Sequence, residues 1–271
     1  MNLALILGCA RSGTSILGEL IGSHPEVKYR HEAHAVWSKA GFGENKSHRL
    51  TAPQATPEVT QLIRKRFKLA KGEANFFAEK CPRSVLRIPF IREVFPEAKL
   101  IHIIRDGRDV ACSMLPGMGG DKWQHLRPPN WRQLLQEHHG VMRCAHAWKA
   151  IVEIALHDLA GVPHFVLKYE DLVDNPERLA GEILRFLGLA EHPDVFAFCR
   201  KIQNQTADSY QAQKQVAWFR DDHQVRVGRW QENLPAGEAR QVEELLRPLL
   251  VQLGYGITPE NYQDREKYCK F

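Results

Sequence analysis

Apolar positions in this chain follow two periods that alternate along its length. Leu3–Leu7, Phe76–Lys80, Lys99–Ile104 and His164–Lys168 are short runs of strand length, each ended by a charged residue, Gly or Pro. Such runs are continuous rather than alternating in polarity, as strands buried on both faces require. Val27–Arg30 reads as one more strand, closing at His31-Glu32. Between these runs the apolar residues recur three and four apart, which predicts helices. The first is Ser15–Ser23, with Ile16, Leu17, Leu20 and Ile21 on one face, followed by Glu58–Lys71, Val85–Val94 and a helix near Arg108–Met114. Trp131–Ala160 reads as one long helix with Gly140 as its single interruption, and Pro176–Leu187 stops at Gly188. Two more helices are expected around Asp194–Ile202 and Ala236–Leu253.

Strands alternating with helices predict an α/β protein whose parallel sheet lies between two helical layers. Ligands of such sheets bind beyond the carboxyl ends of the strands. The informative residues should therefore follow Leu7, Arg30, Ala78, Ile104 and Leu167. Residues 38–56, rich in Gly, Ser, Asn and Pro, read as a long loop, and Met118–Asn130 as a mobile segment over a site.

Composition narrows this picture modestly. A length of 271 residues suits one α/β domain, residues 1–271, without internal repeats or low-complexity segments. The formal charge of +5 favours an anionic ligand but is too small and too dispersed to indicate nucleic acid. No apolar segment approaches the roughly 20 residues that span a bilayer. Leu3–Leu7 follows only Met1 and Asn2, with no basic segment of a secretory leader before it. The six cysteines, Cys9, Cys81, Cys112, Cys144, Cys199 and Cys269, show no paired spacing. Reduced structural thiols in a cytoplasmic protein are expected.

Candidate chemistry begins directly after the first strand, in GCARSGTS, Gly8 to Ser15. A strand, a glycine loop and a helix in that order cradle phosphate, because the helix amides point at the anion. The nucleotide-loop pattern needs Lys after its second Gly, and Thr14 stands there instead. Arg11 is the loop's cation, and Ser12, Thr14 and Ser15 supply hydroxyls. After Ile104 comes RDGRDVACS, in which Arg105 ends the strand and Ser113 lies about two turns into the next helix. An Arg and a hydroxyl from adjoining elements can grip one phosphate from two sides. Together the two loops suggest a ligand anionic at both ends.

These segments resemble the sulfotransferases that use 3′-phosphoadenosine 5′-phosphosulfate (PAPS). GCARSGTS is similar to that family's loop for the 5′-phosphosulfate, and IIRDGRDVACS to its 3′-phosphate motif. LKYEDLVDNPERLAGEILRFLGL and VGRWQENL also agree, so the resemblance runs from about residue 3 to residue 255. Its R-S-G-T loop looks most like the tyrosylprotein sulfotransferases and related bacterial enzymes. The resemblance implies a P-loop NTPase-like three-layer fold, PAPS as cosubstrate, 3′,5′-ADP as product and no metal. It puts Arg11, Ser12, Gly13, Thr14 and Ser15 at the phosphosulfate, and Arg105 with Ser113 at the 3′-phosphate. Tyr169 then lies near the nucleotide, and Arg229 against the phosphates. The chain departs from the tyrosylprotein pattern at Gly117, where those enzymes carry a further Arg. Between Asn204 and Arg226, where relatives contact the nucleotide, no residue can be transferred.

For catalysis the resemblance implies Glu32 as the base that deprotonates the acceptor, with His31 and His34 as rivals. Lys80 is similar to the family's lysine that stabilises the transition state, beside Arg11. The K-T-H-L-P histidine of cytosolic relatives has no counterpart in E-K-C-P, Glu79 to Pro82. The acceptor, whether small molecule, sugar or peptide tyrosine, stays open, with residues 33–75 and 116–150 as the segments expected to shape its pocket. A P-loop kinase and a non-catalytic nucleotide-binding protein are the alternatives on the same fold.

The remaining candidates read as structural. His138, His139 and His146 share a helix without the Cys or carboxylate of a familiar metal set, so solvated histidines are expected. His102 lies within a buried strand as a satisfied core histidine. Trp123, Trp131 and Trp148 fit an acceptor pocket or the core equally.

Overall fold

Each predicted strand forms, and all pair in parallel. In a computed structural model describing residues 1–38, 40–204 and 227–257, the sheet order is β2-β3-β1-β4-β5. The strands are β1 Leu3–Leu7, β2 Val27–His31, β3 Phe76–Lys80, β4 Lys99–Ile104 and β5 His164–Lys168. Register aligns Ile6 with Lys80 on one side of β1 and Leu7 with His102 on the other, so the carboxyl ends share one edge.

The period of two divides the strand residues between two cores. Leu3, Leu5, Leu7, Phe77 and Leu100 face one core, which buries apolar residues of α3 (Pro57–Lys71), α4 (Ile88–Val94), α5 (Gly107–Met114) and α7 (Gly140–Leu159). Ala4, Ile6, Ala78, Ile101 and Ile103 face the other, with α1 (Thr14–Gly22), α8 (Tyr169–Asp174), α9 (Pro176–Leu187) and α10 (Pro193–Gln203). The described C-terminal helices, α11 (Trp230–Asn233) and α12 (Ala236–Gln252), join the first layer through Trp230, Val242 and Leu246. Short α2 (His34–Trp37) and α6 (Trp131–Glu137) complete the described α-helices. This is the three-layer α/β arrangement of P-loop NTPase-like folds.

Neighbouring strands β1 and β4 send their following helices to opposite faces, α1 to one core and α5 to the other. The chain thus opens a crevice at the carboxyl edge between them, the place where such sheets bind ligands.

Four local expectations change. The long helix predicted over Trp131–Ala160 is two helices, because His138 and His139 adopt extended backbone and Gly140 has φ +53°. The buried Arg143 guanidinium fills that break, donating to the carbonyls of Leu135, His138 and Met118 at 2.7–2.9 Å. The helix predicted over Val85–Val94 begins only at Ile88, with Pro in its first turn, after a 3-10 turn over Pro82–Leu86. Met118–Asn130 covers the site but is anchored: Met118, Trp123 and Leu126 are buried, and Trp123 Nε1 donates to Leu126 O at 2.8 Å. Finally, His102 is buried, but its Nδ1 has no hydrogen-bond partner among the described residues, so it is not satisfied. Burial and the nearby His164 push its pKa down to about 3.

Candidate active site

The loop after β1 turns through two left-handed residues, Arg11 at φ +72° and Gly13 at φ +89°. Gly13 is required twice over, since a Cβ there would lie 2.3 Å from the Tyr169 ring. The turn delivers the chain to the start of α1, whose first amides have no side-chain cap and stand ready for an anion. Ser12 Oγ is buried in the same loop with no hydrogen-bond partner among the described residues. Buried hydroxyls rarely go unpaired, and a bound phosphate oxygen is the partner this loop suits.

The second loop locks onto the first. Arg11 Nε donates to Ser113 Oγ at 3.0 Å, and Arg105 donates through one guanidinium nitrogen to Arg11 O at 3.2 Å. Arg105 lies 4.5 Å over the Tyr169 ring and pairs with buried Asp109 at 3.4 Å. Asp109 also accepts from the backbone of Gly228 at 2.9 Å and Trp230 at 3.0 Å. Arg229 is buried in the same neighbourhood; burial and Arg105 together depress its pKa, with Asp109 opposing them.

Across the crevice, Glu32 ends β2 in a left-handed conformation at φ +47°. Left-handed non-glycine backbone costs about 1–3 kcal/mol and persists where its surroundings enforce it. Here the Glu32 amide donates to Lys80 O at 2.6 Å, which ties the turn to the end of β3. Lys80 Nζ donates to Glu32 Oε1 at 2.7 Å, and His34 Nε2 lies 3.3 Å from Glu32 Oε2. His31 lies 4.0 Å from Glu32 and bonds instead to Ser15 Oγ at 3.2 Å. Partial burial favours the neutral acid, but Lys80, His31 and His34 outweigh it and hold the Glu32 carboxyl below its usual range. Burial and the Lys80 cation likewise lower the His31 pKa.

One cavity of about 290 Å³ joins these groups. Arg11, Gly13, Thr14, Ser15, Arg105, Ser113 and Tyr169 line one side, and Glu32 and Lys80 line the middle. Ser12 and Arg229 are buried residues outside that lining. None of Trp123, Trp131 and Trp148 lines it; Trp148 is fully buried and belongs to the core. His138, in the break before α7, stacks on His146 of α7 at 3.7 Å, and no metal-binding cluster occurs among the described residues. The five described cysteines are free and buried, Cys269 being outside the described residues. The nucleotide contacts sought between Asn204 and Arg226 also fall outside the described residues.

The cavity's far side holds residues that the sequence did not single out: His48, Arg83 and His125. Arg83 follows Lys80-Cys-Pro at the end of β3 and was findable from that position alone. His48 and His125 come from loops without periodicity, so no local signal marks them.

Loops after β1 and β4 suited to anions, with an acid–lysine pair at the ends of β2 and β3, fit the class of group-transfer enzymes that act on an anionic donor. The chain belongs to the sulfotransferase family, whose model matches residues 4–194. It is similar to protein-tyrosine sulfotransferase 1 of Danio rerio, 25% identical over 97% of this chain and 75% of that protein. It is also similar to the nodulation protein NoeE of Sinorhizobium fredii, 24% identical over 97% of this chain and 68% of the relative. Among solved structures, the sulfotransferase domain from the curacin biosynthetic pathway shares the fold with a TM-score of 0.60 at 15% identity, over 94% and 98% of the two chains. A mouse sulfotransferase complexed with PAP gives a TM-score of 0.52 at 17% identity, over 92% and 84%. The expectation of a sulfotransferase on a three-layer α/β fold is therefore met. No helix among the described residues is long and apolar enough to cross a membrane.

Proposed function

We propose that this enzyme moves the sulfuryl group of PAPS to a hydroxyl or amine of an acceptor, whether a small molecule, a sugar or a peptide tyrosine. The observation that carries this reading is the Glu32–Lys80 pair at 2.7 Å, set in one cavity with the Arg11–Ser113 clasp. The loop fits the donor's phosphosulfate through the uncapped start of α1, Arg11, Thr14, Ser15 and the unpartnered Ser12 hydroxyl. Arg105 and Ser113 hold the 3′-phosphate, with Tyr169 beneath the guanidinium and Arg229 reinforcing the positive field. When bound, PAPS supplies the sulfuryl group and keeps the electron pair of the broken S–O bond on its 5′-phosphate.

Glu32 takes the acceptor proton at a carboxylate oxygen as the acceptor oxygen bonds to sulfur. Its lowered pKa keeps it ionised at neutral pH, ready to act. Lys80 and Arg11 face the charge that grows on the leaving oxygen, where a positioned cation is most effective. Lys80 leaves Glu32 for that oxygen, so the ion pair is the resting arrangement of a base and an electrophile. His31 is engaged with Ser15, which favours Glu32 over it as base; His34 serves to orient Glu32 Oε2. The acceptor segments 33–75 and 116–150 contribute His34, His48 and Gln124–Leu126 to the cavity. The free, buried cysteines support a cytoplasmic setting.

Glu32→Gln tests the assignment. Transfer of label from PAPS should fall by about 10³-fold, with 3′,5′-ADP binding retained. Equal loss of both would remove Glu32 from the role of base. A thermal shift with Mg·ATP exceeding that with 3′,5′-ADP would support the kinase alternative instead.

A further inference from the structure

The acceptor side of the cavity carries positive charge that the transfer reaction above does not use. Arg83 lines it, and its guanidinium has no hydrogen bond or carboxylate partner among the described residues. Its described contact is the Phe42 ring, 5.5 Å from the guanidinium carbon. Glu32 is the one carboxylate among the described lining residues, and Lys80 already occupies it.

His48, beside Arg83, is independently unusual. Its loop is pinned from several directions: its amide donates to Arg127 O at 2.8 Å, and its carbonyl accepts from Arg87 Nε at 3.2 Å. Its Nδ1 accepts from the Arg127 amide at 3.1 Å. Burial, reinforced by the Arg83, Arg87 and Arg127 cations and by His34, pushes the His48 pKa down to about 3. The ring is therefore neutral, and with Nδ1 accepting, the proton resides on Nε2. That Nε2 is buried without a partner among the described residues, in a side chain that lines the cavity. Arg87 offers no compensating anion either, because its acidic neighbour Glu79 is fully buried, which raises that carboxyl to about 8. A donor held this firmly in a cavity-lining side chain, next to an uncommitted Arg, suits an acceptor atom from outside the chain.

We propose that Arg83 and His48 form an anion subsite for the sulfate acceptor, which is a small hydroxyl compound bearing its own carboxylate or phosphate. This rests on the sulfotransferase reading of the same cavity. Size and depth favour a small molecule over an acidic peptide. His48 is only 5% exposed, inside a cavity of about 290 Å³ that must also admit the sulfuryl group. A tyrosine entering from a peptide leaves the acidic side chains of its neighbours at the mouth, out of reach of His48. The anion must travel inward with the hydroxyl.

The test uses the full chain saturated with 3′,5′-ADP and two matched probe pairs in calorimetric titration. These are 3-(4-hydroxyphenyl)propionate with its amide, and glycerol 3-phosphate with glycerol. The acid of at least one pair should bind about 10-fold or more tightly than its neutral partner, as charge-assisted hydrogen bonds imply. Arg83→Gln should abolish that preference while leaving 3′,5′-ADP affinity unchanged. The Arg83 side chain makes no hydrogen bond among the described residues, so this variant gives up only its contact with the Phe42 ring. His48→Gln, which keeps a donor, should retain more of the preference than His48→Phe. No preference in either pair would overturn the subsite, as would tighter binding of an acidic tyrosine peptide than of either acid. Weaker 3′,5′-ADP binding by Arg83→Gln would also overturn it, by assigning Arg83 to the donor. Failure of the unaltered chain to bind 3′,5′-ADP would instead strike the donor reading beneath it.

Discussion

The donor and acceptor halves of the cavity are built by different means. On the donor side, two loops leave adjacent strands of the sheet and bond to each other through Arg11, Ser113 and Arg105. Arg105 is offset by buried Asp109 and backed by the Tyr169 ring, so the two loops are held to each other by their own contacts. On the acceptor side, segments distant in sequence meet: His48 bonds to Arg127, and Arg87 bonds to His48. Their cations have no ionised partner among the described residues. One half is a consequence of strand order, and the other is an agreement between loops. A sheet can therefore keep its donor site while the loops over it change the acceptor.

The sharpest way to break the comparison is at the residue joining the halves. Lys80→Ala removes both the cation proposed for the leaving oxygen and the partner of Glu32. It should lower kcat by about 10³-fold, comparable to losing one preorganised donor in other enzymes. Single-turnover transfer from labelled PAPS measures this, and a change confined to KM would mean that Lys80 only binds. Next in size, Arg105→Ala should weaken 3′,5′-ADP binding by about 10²-fold. It should affect 5′-AMP far less, since that ligand lacks the 3′-phosphate; isothermal titration of both ligands separates the cases. Equal weakening would show that the two loops are one structural unit, with no division of labour between phosphates.

The smallest effect concerns Glu79, which lies fully buried beneath the acceptor side. Burial raises its carboxyl from the ordinary carboxylate range to about 8. Folded chains keep this proton after unfolded chains have lost it, so stability falls as pH rises through that window and then levels off. Glu79→Gln should remove this slope, raising the Tm by about 5 °C at pH 8 while leaving it nearly unchanged at pH 4.5. Thermal melts at the two pH values check it, and parallel shifts at both would show that Glu79 is not the proton involved.

What the sequence disclosed follows the same division. Buried parallel strands are continuous apolar runs, so β1 and β4 were readable end to end, and their following loops with them. Glu32 and Lys80 were reachable through the family resemblance, which falls on residues at the carboxyl ends of β2 and β3. The break at His138–His139 was placed two residues late, because Gly140 is the visible breaker while the long-range Arg143 caps the freed carbonyls. His48 was invisible for a related reason. Its importance comes from Arg87 and Arg127, 39 and 79 residues away, and no local pattern encodes such partners. Trp148 went unresolved because a core tryptophan and a pocket tryptophan share one helical spacing.

Asp109 has a consequence for how the chain breathes. Its carboxylate receives the amides of Gly228 and Trp230 together with the Arg105 guanidinium. Those two amides exchange with solvent only when Asp109 releases them, so their protection depends on how firmly Arg105 holds the Asp109 carboxylate. A ligand that drew Arg105 away from Asp109 would thereby change the lifetime of two backbone protons more than a hundred residues further along the chain.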